Sequence, residues 1–533
     1  MDSYQNCMGS FSWKRCILKM KKLTAVILGL LLIIPFSYSE QFKIAKGIYN
    51  TKGKFKFTTT NATTLEMKYP LDKKTIFTEE SLDSYIKNYT QQLKNSRFFQ
   101  EIDVHYELTG QTDDEVSLVN IIVSVVDSNH FLAVPYASFK DDSTITQVTP
   151  KIKAKDTNFL GSMNPLTADI NVEIAKKSDQ DFWTFSPGFN IEYDFPFKAG
   201  IFDLTWVNAY NVQFKFGDSS PEWKLKTGLK AELPFDRVSL ILEGYQYSIR
   251  ENDYSIYNDE IFFQNEVAFS APIKLYKFSN FSTLTYTPAV NFKVNYDFDT
   301  INNSNYDLKG PFIAASHTLS NSKIDWNNNF RNGYMFSITN TWPYDFFLRD
   351  WYPSVTIEGQ FYKSYKLADR NNFDMVGIAV DLYAFTYFSF TSNRYNSADS
   401  GYGEKIGSRI RGIPDDYFFG NVKPDYTTSA ALIMNFDFPI NVVHTNFKHD
   451  IINFDMQFSP FMDIAVYRDR TLATQANSLI CCGMEVLVYP YKWSSFTIRM
   501  SLGFDMNSAS SEVNLLKGLW HNKEFSIGLG LHY

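Results

Sequence analysis

The sequence predicts a mainly β protein: a transmembrane antiparallel β-barrel of about 16 strands, preceded by one small α+β domain. Three observations carry that expectation. Past residue 39 no apolar run is long enough to cross a bilayer as a helix, although 44% of the 533 residues are hydrophobic and Phe and Tyr alone number 48 and 33. That hydrophobicity is laid out with period two, one apolar face against one polar face, as lipid-facing and lumen-facing residues alternate in a membrane barrel. One segment with helical spacing, near the amino end, stands apart from the alternation.

Taken in order, Lys19-Met20-Lys21-Lys22 precedes an apolar run from Leu23 to Phe36 and then Ser37-Tyr38-Ser39, the small-x-small form that signal peptidase reads. At about 14 residues the run is shorter than the ~20 that a spanning helix needs, so residues 1–39 read as a secretory signal, with Met20 as a possible true start. No cysteine stands at the cleavage site, which argues against a lipoprotein.

Residues 40–128 read as the small α+β domain. Thr78-Glu79-Glu80 can open a helix, with carboxylates where the helix dipole favours them, and Leu82, Ile86, Tyr89 and Leu93 then recur at helical spacing. The helix is expected to end near Asn95-Ser96. A hairpin follows, from Phe98 to Val104, through a polar turn at 110–115, to an apolar strand from Val116 to Val126. A shortened first helix is expected between Thr64 and Asp72.

Residues 129–533 read as the barrel. Phe189, Ile191, Tyr193 and Phe195 alternate with Asn190, Glu192 and Asp194; Met500, Leu502 and Phe504 alternate with Arg499, Ser501, Gly503 and Asp505. With strands of about 10 residues, roughly 400 residues allow 14 to 18 of them. The last strand places Phe525, Ile527, Leu529, Leu531 and Tyr533 on one face and Ser526, Gly528, Gly530 and His532 on the other.

Ile410-Arg411-Gly412-Ile413, in a polar Gly-rich stretch, is followed by an alternating strand and then by Phe461-Met462-Asp463-Ile464-Ala465. That order resembles the BamA/TamA superfamily of outer-membrane β-barrels, in which a Val/Ile-Arg-Gly-aromatic loop tip folds into the barrel and a Phe-x-Asp-x-Gly wall strand receives it. Ile413 replaces the usual aromatic and Ala465 the usual glycine. Asp156-Thr157-Asn158-Phe159-Leu160-Gly161 resembles the turn after the second strand of the same superfamily, and the segment around Arg97-Phe98-Phe99 resembles its POTRA domain. The terminal-strand aromatics Phe525 and Tyr533 are similar to the carboxyl-terminal insertion signal of such barrels.

The resemblance implies 16 strands, a single POTRA domain in the periplasm of a bacterium, and a barrel in the outer membrane that inserts or secretes polypeptides. Its implied partners are outer-membrane lipid, unfolded outer-membrane or secreted polypeptide clients, and periplasmic accessory proteins. It implies that Arg411 pairs with Asp463, and that the junction of first and last strands, at Pro135, Gly528 and Gly530, is a lateral gate. On the strand after the loop, Asn435 and Asp437 stand where the superfamily tends to carry glutamate and arginine. A passive porin and a two-partner secretion pore remain open as alternatives.

The residues themselves exclude other classes. A net charge of −7 leaves no basic face for nucleic acid. The seven histidines show no metal-ligand spacing, and neither a G-x-S-x-G nor a phosphate-binding loop occurs, so neither an enzyme nor a cofactor is expected. Cys481 and Cys482 are neighbours on a strand and point to opposite faces, which suits wall residues better than a disulfide.

Overall fold

The computed structural model describes residues 40–54, 58–113, 116–141, 145–177, 181–214, 221–250, 261–279, 281–297, 310–346, 349–370, 373–389, 403–413, 427–445, 447, 453–469, 476–510, 518–519 and 523–531. The expected leader at 1–39 and the terminal Tyr533 lie outside these residues.

The small domain runs β1 (Gln41–Lys52), α1 (Ala62–Lys68), β2 (Ile76–Thr78), α2 (Glu79–Ser96), β3 (Phe99–Asp113) and β4 (Val116–Asp127). Its sheet has the order β2-β1-β4-β3, with β1 parallel to β4 and the β3–β4 hairpin antiparallel. α2 starts where it does because Thr78 and Ser81 each accept the other's backbone N–H through a side-chain oxygen, a capping box. Leu82, Tyr85, Tyr89 and Leu93 then form one buried stripe against Ile44, Val119, Ile121 and Val123 of the sheet. The first helix comes slightly earlier than the expected 64–72: Tyr69 leaves helical geometry, as a residue before Pro70 is pressed to do.

The barrel begins with β5 (Phe131–Asp141), β6 (Ile145–Asp156), β7 (Leu166–Lys177), β8 (Thr184–Ala199), β9 (Phe202–Gln213) and β10 (Glu222–Pro234). It continues through β11 (Ser239–Arg250), β12 (Ile261–Ser270), β13 (Ile273–Ser279), β14 (Ser282–Tyr296), β15 (Phe312–Asn327), β16 (Phe330–Asp345) and β17 (Asp350–Trp351). Then come β18 (Ser354–Arg370), β19 (Phe373–Ser389), β20 (Glu404–Lys405), β21 (Thr427–Asp437), β22 (Ile440–His444) and β23 (Phe454–Asp469). β24 (Ala476–Pro490), β25 (Ile498–Asp505) and β26 (Lys523–Leu529) complete the ring, with β26 beside β5.

Not every segment is a separate stave. β13 extends β12 along β14, β17 precedes β18 along β16, β22 extends β21 along β23, and β20 is a two-residue bridge to β21. Among the described residues the ring therefore has eighteen staves, two more than the resemblance implies and at the top of the range the length allows. One reason that many fit is that turns at one rim are very short. Asn328 and Asn329, both at positive φ, join β15 directly to β16, and Gly200 does the same between β8 and β9.

Period-two burial is clearest on β21 and β23. Leu432, Met434, Met462 and Val466 are exposed on the outside, whereas Ile433, Asn435, Phe461, Asp463 and Ala465 are buried inside. The same outward apolar face recurs at Ile170, Leu229, Leu242, Val267, Phe292, Ile338 and Ile480. Such a continuous exposed apolar face is what a bilayer covers.

Candidate functional site: the loop anchored inside the barrel

Between β19 and β21 the segment 403–413 turns back into the barrel. Ile406, Ile410 and Ile413 are buried in a cluster with Phe385, Ile433, Ala465 and Cys481 of the wall. Small side chains at Ala465 and Cys481 leave room for these isoleucines, which gives the loop an apolar seat.

Polar contacts then fix its register. The Arg411 guanidinium donates to Asp463 through Nε (3.0 Å) and Nη2 (2.6 Å), and the Arg411 backbone N–H donates to the same carboxylate at 2.7 Å. Nη1 donates to Asp437 at 2.6 Å and lies 3.4 Å from Glu485. The guanidinium sits 3.9 Å from the centre of the Phe461 ring. Asp463 is fully buried and Arg411 is 3% exposed, so the charges are out of water. Burial on this scale is tolerable because the planar fork meets one carboxylate in two places and Nη1 meets a second.

Gly412 continues the anchor. Its N–H donates to Glu524 of β26, and its φ of +79° is a left-handed value that favours glycine. Immediately before the motif, Arg409 forms a second anchor: it donates to Tyr383 (2.7 Å), Glu358 (3.1 Å) and Glu404 (3.1 Å), and lies 3.9 Å from the Phe385 ring. Its carbonyl accepts from Asn435 at 2.9 Å.

The structure thus brings Ile410, Arg411, Gly412 and Ile413 together with Phe461, Asp463 and Ala465. Asn435 and Asp437 both face inward, in the same site. Sequence reasoning missed Arg409, Glu485 and Glu524. The alternation could have found the two glutamates, since Glu524 shares the inner face with Ser526 and Glu485 stands two residues from the inward Gly483. Beside the anchor lies a small cavity of about 20 Å³ lined by Asp437, Glu485, Arg331, Asp381, Gln457 and Tyr489, among others. Arg331 donates to Asp381 there at 2.8 Å.

The remaining expected positions fall elsewhere. Pro135 lies in β5 opposite Ile152, and Gly528 lies in β26 opposite Arg499. Gly530 is not a strand residue: it follows the end of β26 at a φ of +100°, and its N–H donates to Thr497 at 2.7 Å. That turn breaks the alternation, so Leu531 lines the inner cavity instead of continuing the outward stripe of Phe525. Among the described residues no group of three or more His, Cys, Asp or Glu side chains is placed to hold a metal ion.

No protein-family profile and no curated protein sequence matches this chain. Solved structures that are similar in shape include CdiB from Acinetobacter baumannii, 13% identical over 86% of this chain and 70% of that one, with a TM-score of 0.43. CdiB from Escherichia coli is 9% identical over 87% of this chain and 72% of that one, with a TM-score of 0.41. BamA from Haemophilus ducreyi lacking POTRA domains 1–3 is 10% identical over 87% and 81%, with a TM-score of 0.32.

Proposed function

We propose that this chain is an outer-membrane barrel of the BamA/TamA superfamily that inserts or secretes polypeptides, with its small domain, as a POTRA domain, in the periplasm. The observation that carries the reading is the loop tip Ile410–Ile413 seated inside the barrel, with Arg411 held by Asp463 on the wall strand. A multiply bonded arginine that pins a loop inside the ring favours a plugged barrel over an open pore, and the outward apolar face calls for lipid around it. The order of strand, two helices and hairpin in the small domain supports the POTRA reading, and short turns at the rim beside it suit a periplasmic face. Unfolded outer-membrane or secreted polypeptides are the clients under this reading, and accessory proteins would dock on the same side.

The test is depletion of the protein followed by quantitative outer-membrane proteomics. Loss of a set of outer-membrane proteins supports insertion, and loss of one exported polypeptide favours a dedicated secretion pore. An unchanged proteome with slower uptake of small solutes would replace both readings with a porin.

A further inference from the structure

The small domain turns its helices toward the barrel. Asn95 of α2 donates to Asp325 at 2.9 Å, the Nε of Arg97, which caps that helix, donates to the Ser494 carbonyl at 2.6 Å, and Lys68 of α1 donates to Asn164 at 2.5 Å. Tyr85 of α2 stacks on Phe281, between β13 and β14, with ring centres 6.0 Å apart. The far face of the small sheet therefore looks away from the barrel, and neither helix packs on it.

Alternation fixes what that face carries. On β4, Val119, Ile121, Val123 and Val125 are buried under the helices, so Leu118, Ile122 and Val126 stand on the other side, where they are only half-buried. β1 and β3 flank β4, and the register sets their side chains alongside. Lys52, Val126 and Glu101 share one row, Lys46, Asn120 and Glu107 another, and Ile48 meets Ile122 between them. Asp103 adds a third carboxylate to β3, 3.0 Å from His105 Nδ1. Further along β1, Lys43 is paired with Asp113. The face is thus divided lengthwise, with lysines on β1, an aliphatic seam on β4 and carboxylates on β3. Lys46, Lys52, Glu101, Asp103 and Glu107 are all exposed.

The division has the dimensions of one kind of ligand. Flanks two strands apart are separated by about 10 Å, too far to pair with each other and close to the ~10–12 Å width of a helix with its side chains. From Leu118 to Val126 the seam runs about 27 Å, the length of a helix of about 18 residues. Opposite charges sorted onto opposite flanks would meet a ligand sorted the other way. A second copy held in the same bilayer presents this face in the same direction, so it cannot cover it.

We propose that the outer face of the small domain binds an amphipathic helix of a periplasmic partner. The helix lies along β4 with its apolar stripe on Ile48, Leu118, Ile122 and Val126, an acidic flank over the lysines of β1 and a basic flank over the carboxylates of β3. Turning a helix end for end exchanges its flanks, so the charge division also sets the direction in which the partner runs. The inference rests on the proposed function only for the compartment in which the partner is found.

The test is fluorescence anisotropy with the full chain in nanodiscs of zwitterionic lipid, empty nanodiscs serving as the blank. It reads binding alone, so its failure leaves insertion and secretion standing. The probe is a synthetic helix of about 18 residues with a leucine stripe, glutamates on one flank and lysines on the other. A second peptide with glutamates on both flanks should bind about tenfold more weakly, and Lys46→Glu with Lys52→Glu should weaken the first peptide by a similar factor, the scale of two exposed ion pairs turned into repulsions. Adding Glu101→Lys and Glu107→Lys to that variant should restore binding with the helix reversed. A photo-cross-linker at the amino end of the peptide, mapped by mass spectrometry, should then move from one end of β4 to the other. Absence of binding to wild type, equal binding of the two peptides, or cross-links that stay at one end would overturn the proposal. Equal binding of a peptide broken by a central proline would overturn it too, because the face would then take an extended chain.

Discussion

Gly412 and Gly503 meet backbone to backbone: a Cβ on Gly503 would lie 2.5 Å from the Gly412 Cα, and a Cβ on Gly412 would lie 2.7 Å from the Phe504 nitrogen. Neither distance admits a methyl group, and the obstacle is main chain that cannot swing aside. Gly503→Ala and Gly412→Ala are therefore each expected to cost about 1–3 kcal/mol, the usual range for overpacking, and to lift the loop off the wall. Gly244→Ala, where the added carbon meets nothing within 4 Å, is the control and should stay within about 0.5 kcal/mol. Thermal unfolding of the three variants, with protease cleavage of the loop in the folded barrel, checks this.

Arg411→Ala leaves Asp463, Asp437 and Glu485 facing each other without their shared cation. Removal of one partner from a buried ion pair costs about 3–5 kcal/mol, because the other charge stays in place. Arg411→Lys should recover little of this, since an ammonium cannot reproduce the Nε and Nη2 fork on Asp463. Adding Asp463→Asn to Arg411→Ala should restore part of the loss. Unfolding measurements across that double-mutant cycle read the coupling directly, and additive losses would contradict it.

The general architecture was legible because period-two patterning is local: Leu432, Asn435, Met462 and Asp463 can be assigned to faces from their neighbours alone. The meeting of Arg411 with Asp463 was expected only through a resemblance, since alternation says which way a side chain points and not what stands across the lumen. Glu485 and Glu524 show that limit. Both read as inward, yet nothing in the sequence says that β24 and β26 flank the loop tip. Gly530 was misread because a glycine in an alternating stripe looks like a strand residue, and only its positive φ shows where the strand stops. The docking of the small domain was illegible for a similar reason: Asn95 and Arg97 meet turns more than 200 residues away.

Asp127 ends β4 and accepts from the Thr60 N–H at 2.7 Å and the Thr60 hydroxyl at 2.8 Å, where the small domain passes into the barrel. Burial raises its pKa above the usual carboxyl value in spite of these bonds and of His130 nearby. A raised folded value means the folded chain holds the proton more tightly. The associated stability is full below the unfolded carboxyl pKa and is lost as pH rises through the folded one. The unfolding temperature of wild type relative to Asp127→Asn should therefore be highest in acid and decline to a plateau as pH rises. A difference independent of pH would contradict the assignment.

Among the described residues β3, an edge strand of 15 residues, pairs only with β4, which leaves one side of its backbone for an added strand. Main-chain pairing of that kind tolerates many client sequences. A photo-cross-linker at Glu107 in the full chain should capture an unfolded barrel peptide with a terminal aromatic, whereas one at Lys87 on α2 should not. Equal capture at both positions would mean that β3 is not the docking edge.

The last expectation concerns the junction of β26 with β5. Pro135 in β5 donates no ladder hydrogen bond, and β26 offers seven residues against eleven in β5 before Gly530 turns the chain inward. Gly528, opposite Arg499, adds no side chain to pack at the same place. A closed barrel gains by pairing every backbone group in lipid, so a short closing strand beside a proline-bearing one makes a weak seam. Under the proposed function it is also the place where a client strand would enter the wall. Cysteine pairs placed across β5 and β26, on a background lacking Cys481 and Cys482, should cut client insertion to background when oxidised and restore it on reduction. The same pairs placed across β15 and β16, which share sixteen register positions, should have no effect. Full activity with the β26–β5 junction covalently closed would mean that clients do not pass there, because a sealed seam leaves no free edge to template a strand.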